Sequence, residues 1–460
     1  MASASSTIAA RIDRLPRSSY IRHLVLLISL GGCFELYDLF FTAYVAAGLF
    51  KGGIFSPTTT MFFGFEGFAS FVAAQFAGMF IGTIIVSHLS DKYGRRAMFT
   101  YSLLWYSVCT LIMAFQNDAL GVNLWRFIAS IGIGLELVTI DAYVSELVPR
   151  EHRGRAFAFN QTVQFIAVPV VAFISYLLVP RTVMGWDGWR WVVALGAAGA
   201  IFIWFIRLRL PESPRWLAQR GRTAEAETIM QSIEAAVRAE SGRELPAPQM
   251  VSGEVEEVRG KWIEMWQGIY RGRTIMMIFY NFLQTIGFYG FSSWVPTLLL
   301  AKHIDVTKSL EYTFIMAIAA PIGPLIGYFV ADKVERKWQV AGSALAIAVF
   351  GVLFAQQSLP LMIIVLGILI TMANNWLSFS FHAYQAELYP TRIRAQAVGF
   401  VYSWSRFSVI FTSFIIAWIL HKYGVMGVFV FIAAAMVGVF LIIGIFGPKT
   451  NNLRLEEVAR

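Results

Sequence analysis

Apolar residues along this 460-residue chain fall in long unbroken runs rather than in alternation. Twelve runs can be counted, at 24–49, 66–90, 97–115, 121–147, 156–179, 189–208, 273–300, 311–331, 338–356, 360–386, 396–420 and 424–446. Each is close to the roughly 20 residues with which a helix crosses a bilayer. Most connections are short. The exception, 209–272, is polar and carries Glu and Arg at helical spacing in TAEAETIMQSIEAAVRAE, which predicts a surface linker with one or two amphipathic helices. The pattern predicts an all-α polytopic membrane protein with 12 transmembrane helices. Its parts are a tail at 1–23, a six-helix bundle at 24–208, the linker at 209–272, a second six-helix bundle at 273–446 and a tail at 447–460.

Composition agrees, since 57% of residues are hydrophobic and only 14% charged, which excludes a soluble globular protein of this size. The net charge of +9 suggests nucleic acid only until its distribution is read. With the N-terminus inside, 29 of the 37 Lys and Arg residues lie in inner tails and loops, and six lie in outer loops. Only Arg126 and Arg406 fall within apolar runs. The bias puts both termini and the linker in the cytoplasm of a plasma (inner) membrane and leaves no nucleic-acid surface. Cys33 and Cys109 both sit in apolar runs, so no disulfide framework or metal site is expected. The first run lacks a small-residue cleavage site and is expected to stay as the first helix. With no P-loop, metal cluster or nucleophile–base pair, the chain is expected to be no enzyme and to need no cofactor.

That first run, LVLLISLGGCFELYDLFFTAYVAAGL, carries Glu35 and Asp38. An ionised carboxylate at the bilayer centre costs on the order of 2.5–3.5 kcal/mol or more. Two acids three residues apart share a helix face, which must look onto protein or water. Asp38 lies sixteen residues past Arg22, roughly 24 Å from the inner face, and Arg126 lies about one turn into the fourth run from the outer side. The two can meet if their helices face each other. An adjacent Arg favours the carboxylate and separation in an apolar setting favours its protonation, so making and breaking this pair couples protonation to conformation. Glu35 either extends the proton path, binds substrate, or is a locally hydrogen-bonded acid.

The chain repeats itself at an offset of 241. DKYGRR begins at Asp91 and DKVERK at Asp332; ELVPREHRGR begins at Glu146 and ELYPTRIRAQ at Glu387. Two motifs at the same separation in both halves imply two six-helix pseudo-repeats, with substrate between them near the midplane. Asp91, Arg95, Glu146 and Arg153, with Asp332, Arg336, Glu387 and Arg394, can form inter-helix ion pairs at the inner face and are expected to act as a cytoplasmic gate.

DKYGRR, its echo after run 8, Arg126 followed by GIGLE, and PESPRWL at 211–217 resemble the major facilitator superfamily. PESPRWL, ELVPREHRGR and the FGPKT ending are similar to its sugar-porter side and to organic-ion, niacin and synaptic-vesicle-2-like relatives. Two positions depart from the motif: Ser87, where Gly is usual, and Glu335, the counterpart of Gly94. The resemblance implies the major facilitator fold, alternating access, and a proton-coupling role for Asp38 with Arg126. It also implies that segment 7 keeps one sugar-binding amide, Gln284, with Leu283 and Tyr289 in place of two others. His382 stands where a sugar-stacking Trp is expected.

Arg406 has no charged counterpart, because the same offset gives Phe165. It lies twelve residues after Arg394, roughly 18 Å in, where a guanidinium is a natural anion anchor, or else a structural Arg satisfied by its neighbours. Gln161, Gln284, Tyr289, Asn375, Trp376 and His382 are the other candidate substrate contacts. Sugars require many amide partners, several of which are missing. The expectation is therefore a monomeric proton symporter of a small organic anion, nicotinate-like or an aromatic monocarboxylate. A sugar or polyol symporter and a non-transporting membrane sensor are the alternatives.

Overall fold

The computed structural model describes residues 4–55, 60–61, 65–83, 92–207, 210–248, 262–330, 334–389 and 391–450. The membrane-crossing helices in chain order are α2 (Ser19–Lys51), α3 (Phe68–Ile81), α4 (Arg95–Ala114), α5 (Ala119–Leu147), α6 (Arg153–Phe165) continued by α7 (Ala167–Leu178), and α8 (Gly188–Arg207). The second set is α11 (Gly268–Ser292) continued by α12 (Val295–Ala301), α13 (Val306–Ala317) continued by α14 (Ile322–Val330), α15 (Arg336–Gln356), α16 (Pro360–Glu387), and α17 (Thr391–Phe446). The last spans runs 11 and 12 and is broken at Gly424, whose φ of 67° takes it out of the helix. Two short hairpins, β1–β2 (Thr60–Met61, Phe65–Glu66) and β3–β4 (Thr182–Val183, Trp186–Asp187), complete the chain order.

Proline accounts for three of the interruptions. Its ring clashes with the carbonyl four residues earlier. Pro169, Pro296 and Pro321 lie four residues after Phe165, Ser292 and Ala317, which are the last residues of α6, α11 and α13. Side chains of the usual kind cap the starts of α2 and α5. Ser18 Oγ accepts from the Ile21 amide at 3.2 Å, and Asp118 Oδ1 from the Gly121 amide at 3.1 Å.

Helix α2 is buried over most of its length and touches α5, α6, α7 and α8. The two sets of helices meet where α3 packs on α17, α7 on α13, α6 on α14 and α2 on α12. On the side away from the termini the seam is closed by aromatic rings. Phe68 and Trp294 are 5.3 Å apart, and Phe173 and Phe314 are 5.2 Å apart.

The sequence repeat is a repeat of contacts. Arg95 on α4 bonds Glu146 on α5 at 2.9 Å, and at the same offset Arg336 on α15 bonds Glu387 on α16. Tyr143 donates to the carbonyl of Pro211, at the start of the linker, and Tyr384 to that of Pro448, at the start of the tail, at 2.9 Å. The departure at Glu335 also finds its reason here. Gly94 has φ of 101°, and a Cβ on it would lie 2.4 Å from Glu212 Oε2. The Glu212 carboxylate accepts from the amides of Arg95 and Arg96 at 3.0 and 3.2 Å, capping α4, which is what the PESPRWL motif does here. Glu335 instead has φ of −53°, open to any residue, and its carboxylate accepts from the Thr450 amide at 2.8 Å. One loop receives an acid from the chain beyond it, and the other supplies one.

The N-terminal tail holds a helix absent from the expectation, α1 (Ala4–Asp13), docked on the linker helices α9 (Pro214–Gln219) and α10 (Thr223–Ser241). Ile8, Ile12 and Leu15 bury against a cluster with Trp216, Met230 and Ile233. Arg11 bonds Glu227 at 2.6 Å and Glu234 at 2.7 Å, Arg14 bonds Glu234 at 2.6 Å, and Arg215 bonds Asp13 at 2.8 Å. Hydrogen bonds from Arg11 and Gln231 hold Glu227 below the usual carboxylate range. Burial alone would raise Glu234, but the bonds from Arg11 and Arg14 override it and hold it low.

Candidate functional site

Among the described residues, Arg126 and Arg406 are buried in the interior of the membrane-crossing helices, one in each half. Arg126 on α5 is fully enclosed. Its Nη1 donates to the Asp38 carboxylate of α2, and its Nη2 donates to the Asp38 carbonyl at 2.7 Å. Thr110 of α4 donates to the other carboxylate oxygen at 2.8 Å. The guanidinium carbon stands 4.4 Å from the centre of the Phe41 ring. Asp38 and Arg126 therefore meet as their depths predict, with a third helix adding a hydroxyl.

Arg406 on α17 is 3% exposed and is held otherwise. Its Nη1 donates to the Tyr289 hydroxyl at 2.6 Å and its Nη2 to the Tyr402 hydroxyl at 2.8 Å, and it lies 5.6 and 5.0 Å from those ring centres. Among the described residues no carboxylate is within ion-pair distance of it, and Nε has no hydrogen-bond partner. Phe76 of α3 packs edge-on to Tyr289 at 4.6 Å, so the first half fixes the ring that holds the second half's arginine.

Arg406 lines a cavity of about 90 Å³ between the halves, with Gln161, Gln164, Gln284, Tyr289, His382 and Tyr402. Of the expected contacts, Arg406, Gln161, Gln284, Tyr289 and His382 are brought together there. Asn375 lines a separate, smaller space of about 40 Å³ with Phe40, Tyr44 and Asn374, and its amide donates to the Thr371 carbonyl at 2.9 Å. Trp376 lines neither space, and its indole donates to Gln339 of α15 at 3.2 Å. It is a packing residue at the right depth on the wrong side of α16. Gln164 and Tyr402, each one helical turn from an expected residue (Gln161 and Arg406), join the cavity. Gly32 makes room for the first, since a Cβ there would lie 2.3 Å from the Gln164 amide.

Glu35 is 1% exposed, and its Oε1 has no hydrogen-bond partner among the described residues. Its charged neighbours are Glu136 and Asp141 of α5, Arg406, and Asp38. Glu136 is buried and accepts weakly from Ser102 at 3.5 Å, and Asp141, nearer the terminus side, is exposed. Intramembrane acids are rare and costly, so these two belong among the candidates.

The gate residues divide. Arg95–Glu146 and Arg336–Glu387 are formed, but each joins two helices of one half and neither crosses between halves. Arg153 opens α6. Asp91 and Asp332 lie outside the described residues, as does the side chain of Arg394.

Residues 24–460 match the family described as sugar (and other) transporter. The chain belongs to that family. It is thus a multi-pass membrane transporter and not an enzyme. It is 34% identical to YyaJ of Bacillus subtilis, named for metabolite transport, over 97% of this chain and 96% of that protein. It is 26% identical to the niacin transporter NiaP of Acinetobacter baylyi, over 98% and 99% of the two chains. The fold is similar to that of the E. coli xylose transporter XylE in a partially occluded inward-open conformation. The TM-score is 0.72 at 21% identity, covering 95% of this chain and all of that one.

Proposed function

We propose that this family member is a proton-coupled symporter of a small, flat organic anion, of the nicotinate or aromatic monocarboxylate type. It works by alternating access, with the terminus side in the cytoplasm of the plasma membrane. The observation that carries the reading is Arg406, a buried guanidinium held by two neutral hydroxyls and facing the cavity between the halves. Glu35 is its charged neighbour, but no carboxylate pairs with it directly among the described residues. Leaving a buried charge without a hydrogen-bonded counter-charge costs several kcal/mol, which a ligand carboxylate would offset. The fork of donors suits a planar carboxylate, and the rings of Phe381, His382 and Tyr402, with centroids 4.3–6.0 Å apart, suit a flat body beside it. A cavity of about 90 Å³ favours a compact ligand. The niacin transporter among the relatives agrees with this chemistry.

In this reading Asp38 carries the proton and Arg126 is its switchable partner, with Glu35 one turn deeper. The ion pairs Arg95–Glu146 and Arg336–Glu387 at the terminus side keep each half rigid while the halves rock. Proteoliposomes with an acidic exterior should accumulate nicotinate or benzoate but not nicotinamide or xylose. Accumulation of xylose with neither acid transported would overturn the anion reading. It would favour a sugar or polyol symporter, for which the three cavity amides of Gln161, Gln164 and Gln284 speak.

A further inference from the structure

At the terminus side of the seam between the halves lies a cavity of about 530 Å³, distinct from the one at Arg406 and within the roughly 300–1,000 Å³ range of small-molecule sites. Its basic rim consists of Arg17 and Arg22 at the start of α2 and His152 and Arg155 at the start of α6, with no acid in the lining. His152 Nδ1 is buried with no hydrogen-bond partner among the described residues. The N-terminus of α2, a 33-residue helix, opens onto the same rim at Ser18, adding its dipole to the positive field. Two acids flank the rim: Glu151, exposed and next to His152 in the chain, and Glu240, an electrostatic neighbour of Arg22 whose carboxylate is engaged by the amides of Ser19 and Tyr20 at 2.6 and 3.1 Å.

Below the rim the walls are apolar. Val25 and Phe159 come from the first half and Leu325, on α14, from the second. Phe159 and Leu325 are 43% and 47% exposed. From Arg155 to Thr162 the groove runs seven residues along α6, roughly 10 Å toward the midplane. Positive charge at the water boundary above a hydrocarbon-lined slot is complementary to an amphiphile with an anionic head. Acidic leaflet lipids are concentrated at the face of the membrane that attracts Lys and Arg.

We infer that this groove is a binding site for one anionic phospholipid of the inner leaflet. Its phosphate accepts from Arg17, Arg22, Arg155 and His152, and an acyl chain lies against Phe159 and Leu325. Because the walls come from both halves, the bound lipid bridges the seam and its occupancy follows the rocking motion. The choice of leaflet rests on the orientation proposed above; the site itself does not.

Native mass spectrometry of the delipidated full chain with phosphatidylglycerol, phosphatidylcholine or inorganic phosphate tests this directly. One phosphatidylglycerol should be retained with about tenfold preference over phosphatidylcholine. Arg17→Gln with Arg22→Gln should reduce that preference to about twofold or less, and Arg17→Lys should keep it. Ala156→Phe, which fills the slot without touching the charges, should lose the lipid while keeping the thermal midpoint of the lipid-free protein. Equal retention of phosphatidylcholine overturns the site. So does a preference unchanged in the double Gln variant, or protection by inorganic phosphate as strong as by the lipid. Site-specific labelling of the linker from either side of the membrane reads the orientation separately, so that reading can fail while the lipid site stands.

Discussion

Arg126 and Arg406 are the same side chain at similar burial in pseudo-equivalent halves, and their surroundings differ in kind. Arg126 is neutralised by Asp38, with Thr110 closing the other side of the carboxylate. Arg406 is surrounded by tyrosine hydroxyls and opens onto space. A buried ion pair is a closed unit whose value lies in being broken, whereas a buried cation among neutral acceptors is an incomplete one. In the proposed reading the first half moves a proton and the second recruits a charge.

The largest effect should come from breaking the closed unit on one side. Arg126→Ala leaves Asp38 buried without its partner, which costs about 3–5 kcal/mol. The thermal midpoint in detergent should fall sharply and recover in part when Asp38→Asn is added. If the single and double variants melt alike, the pair is not the closed unit described. Asp38→Asn alone should abolish accumulation driven by a pH gradient while exchange of substrate persists. Accumulation at the wild-type level would remove Asp38 from the coupling step.

At Arg406 the loss should appear in binding rather than in folding. Arg406→Ala forfeits a charge-assisted contact of about 1.5–3 kcal/mol, so the acid should bind ten- to a hundredfold more weakly. The amide analogue, already a poor ligand, should change little. Equal losses for acid and amide would make the arginine structural. Tyr402→Phe removes one neutral hydrogen bond of about 0.5–1.5 kcal/mol and should cost two- to tenfold in affinity for the acid, leaving the melting curve nearly unshifted.

The third group of arginines, Arg11 and Arg14, lies outside the membrane-crossing helices and supplies the control. Glu227 and Glu234 are held below the usual carboxylate range in the docked state, so docking is fully stabilised above that range and weakens as pH falls through the depressed values. Each such pair contributes below about 1 kcal/mol. A fluorophore pair on α1 and α10 should separate gradually below about pH 4 and at high salt, with transport at neutral pH unaffected. Separation on raising the pH instead would contradict the sign.

The membrane-crossing segments were legible because a bilayer leaves the backbone no alternative to helix, and length with apolarity then suffices. The breaks after Phe165, Ser292 and Ala317 were written in the prolines four residues on. The meeting of Asp38 and Arg126 was legible because depth along a helix is readable from residue counts. Azimuth is not, since helix packing sets it, which is why Trp376 faces Gln339 instead of the cavity. Gln164 and Tyr402 were available by helical spacing from Gln161 and Arg406. Glu136 stayed hidden inside a glycine-rich packing motif. The docking of α1 depends on only Ile8, Ile12 and Leu15, too short an apolar stripe to stand out in a basic tail.

The chain leaves each half by the same kind of anchor, Tyr143 holding Pro211 and Tyr384 holding Pro448. With Glu212 capping α4, and α9 and α10 packed on α1, the linker through residue 248 belongs physically to the first half. During synthesis that half can therefore finish its own cap and latch before the second half has left the ribosome. The expectation is that the protein behaves as two cassettes. Two polypeptides divided between residue 248 and Trp262 and made in one cell should reassemble into a working transporter, whereas a division ahead of Glu212 should strip α4 of its cap and fail.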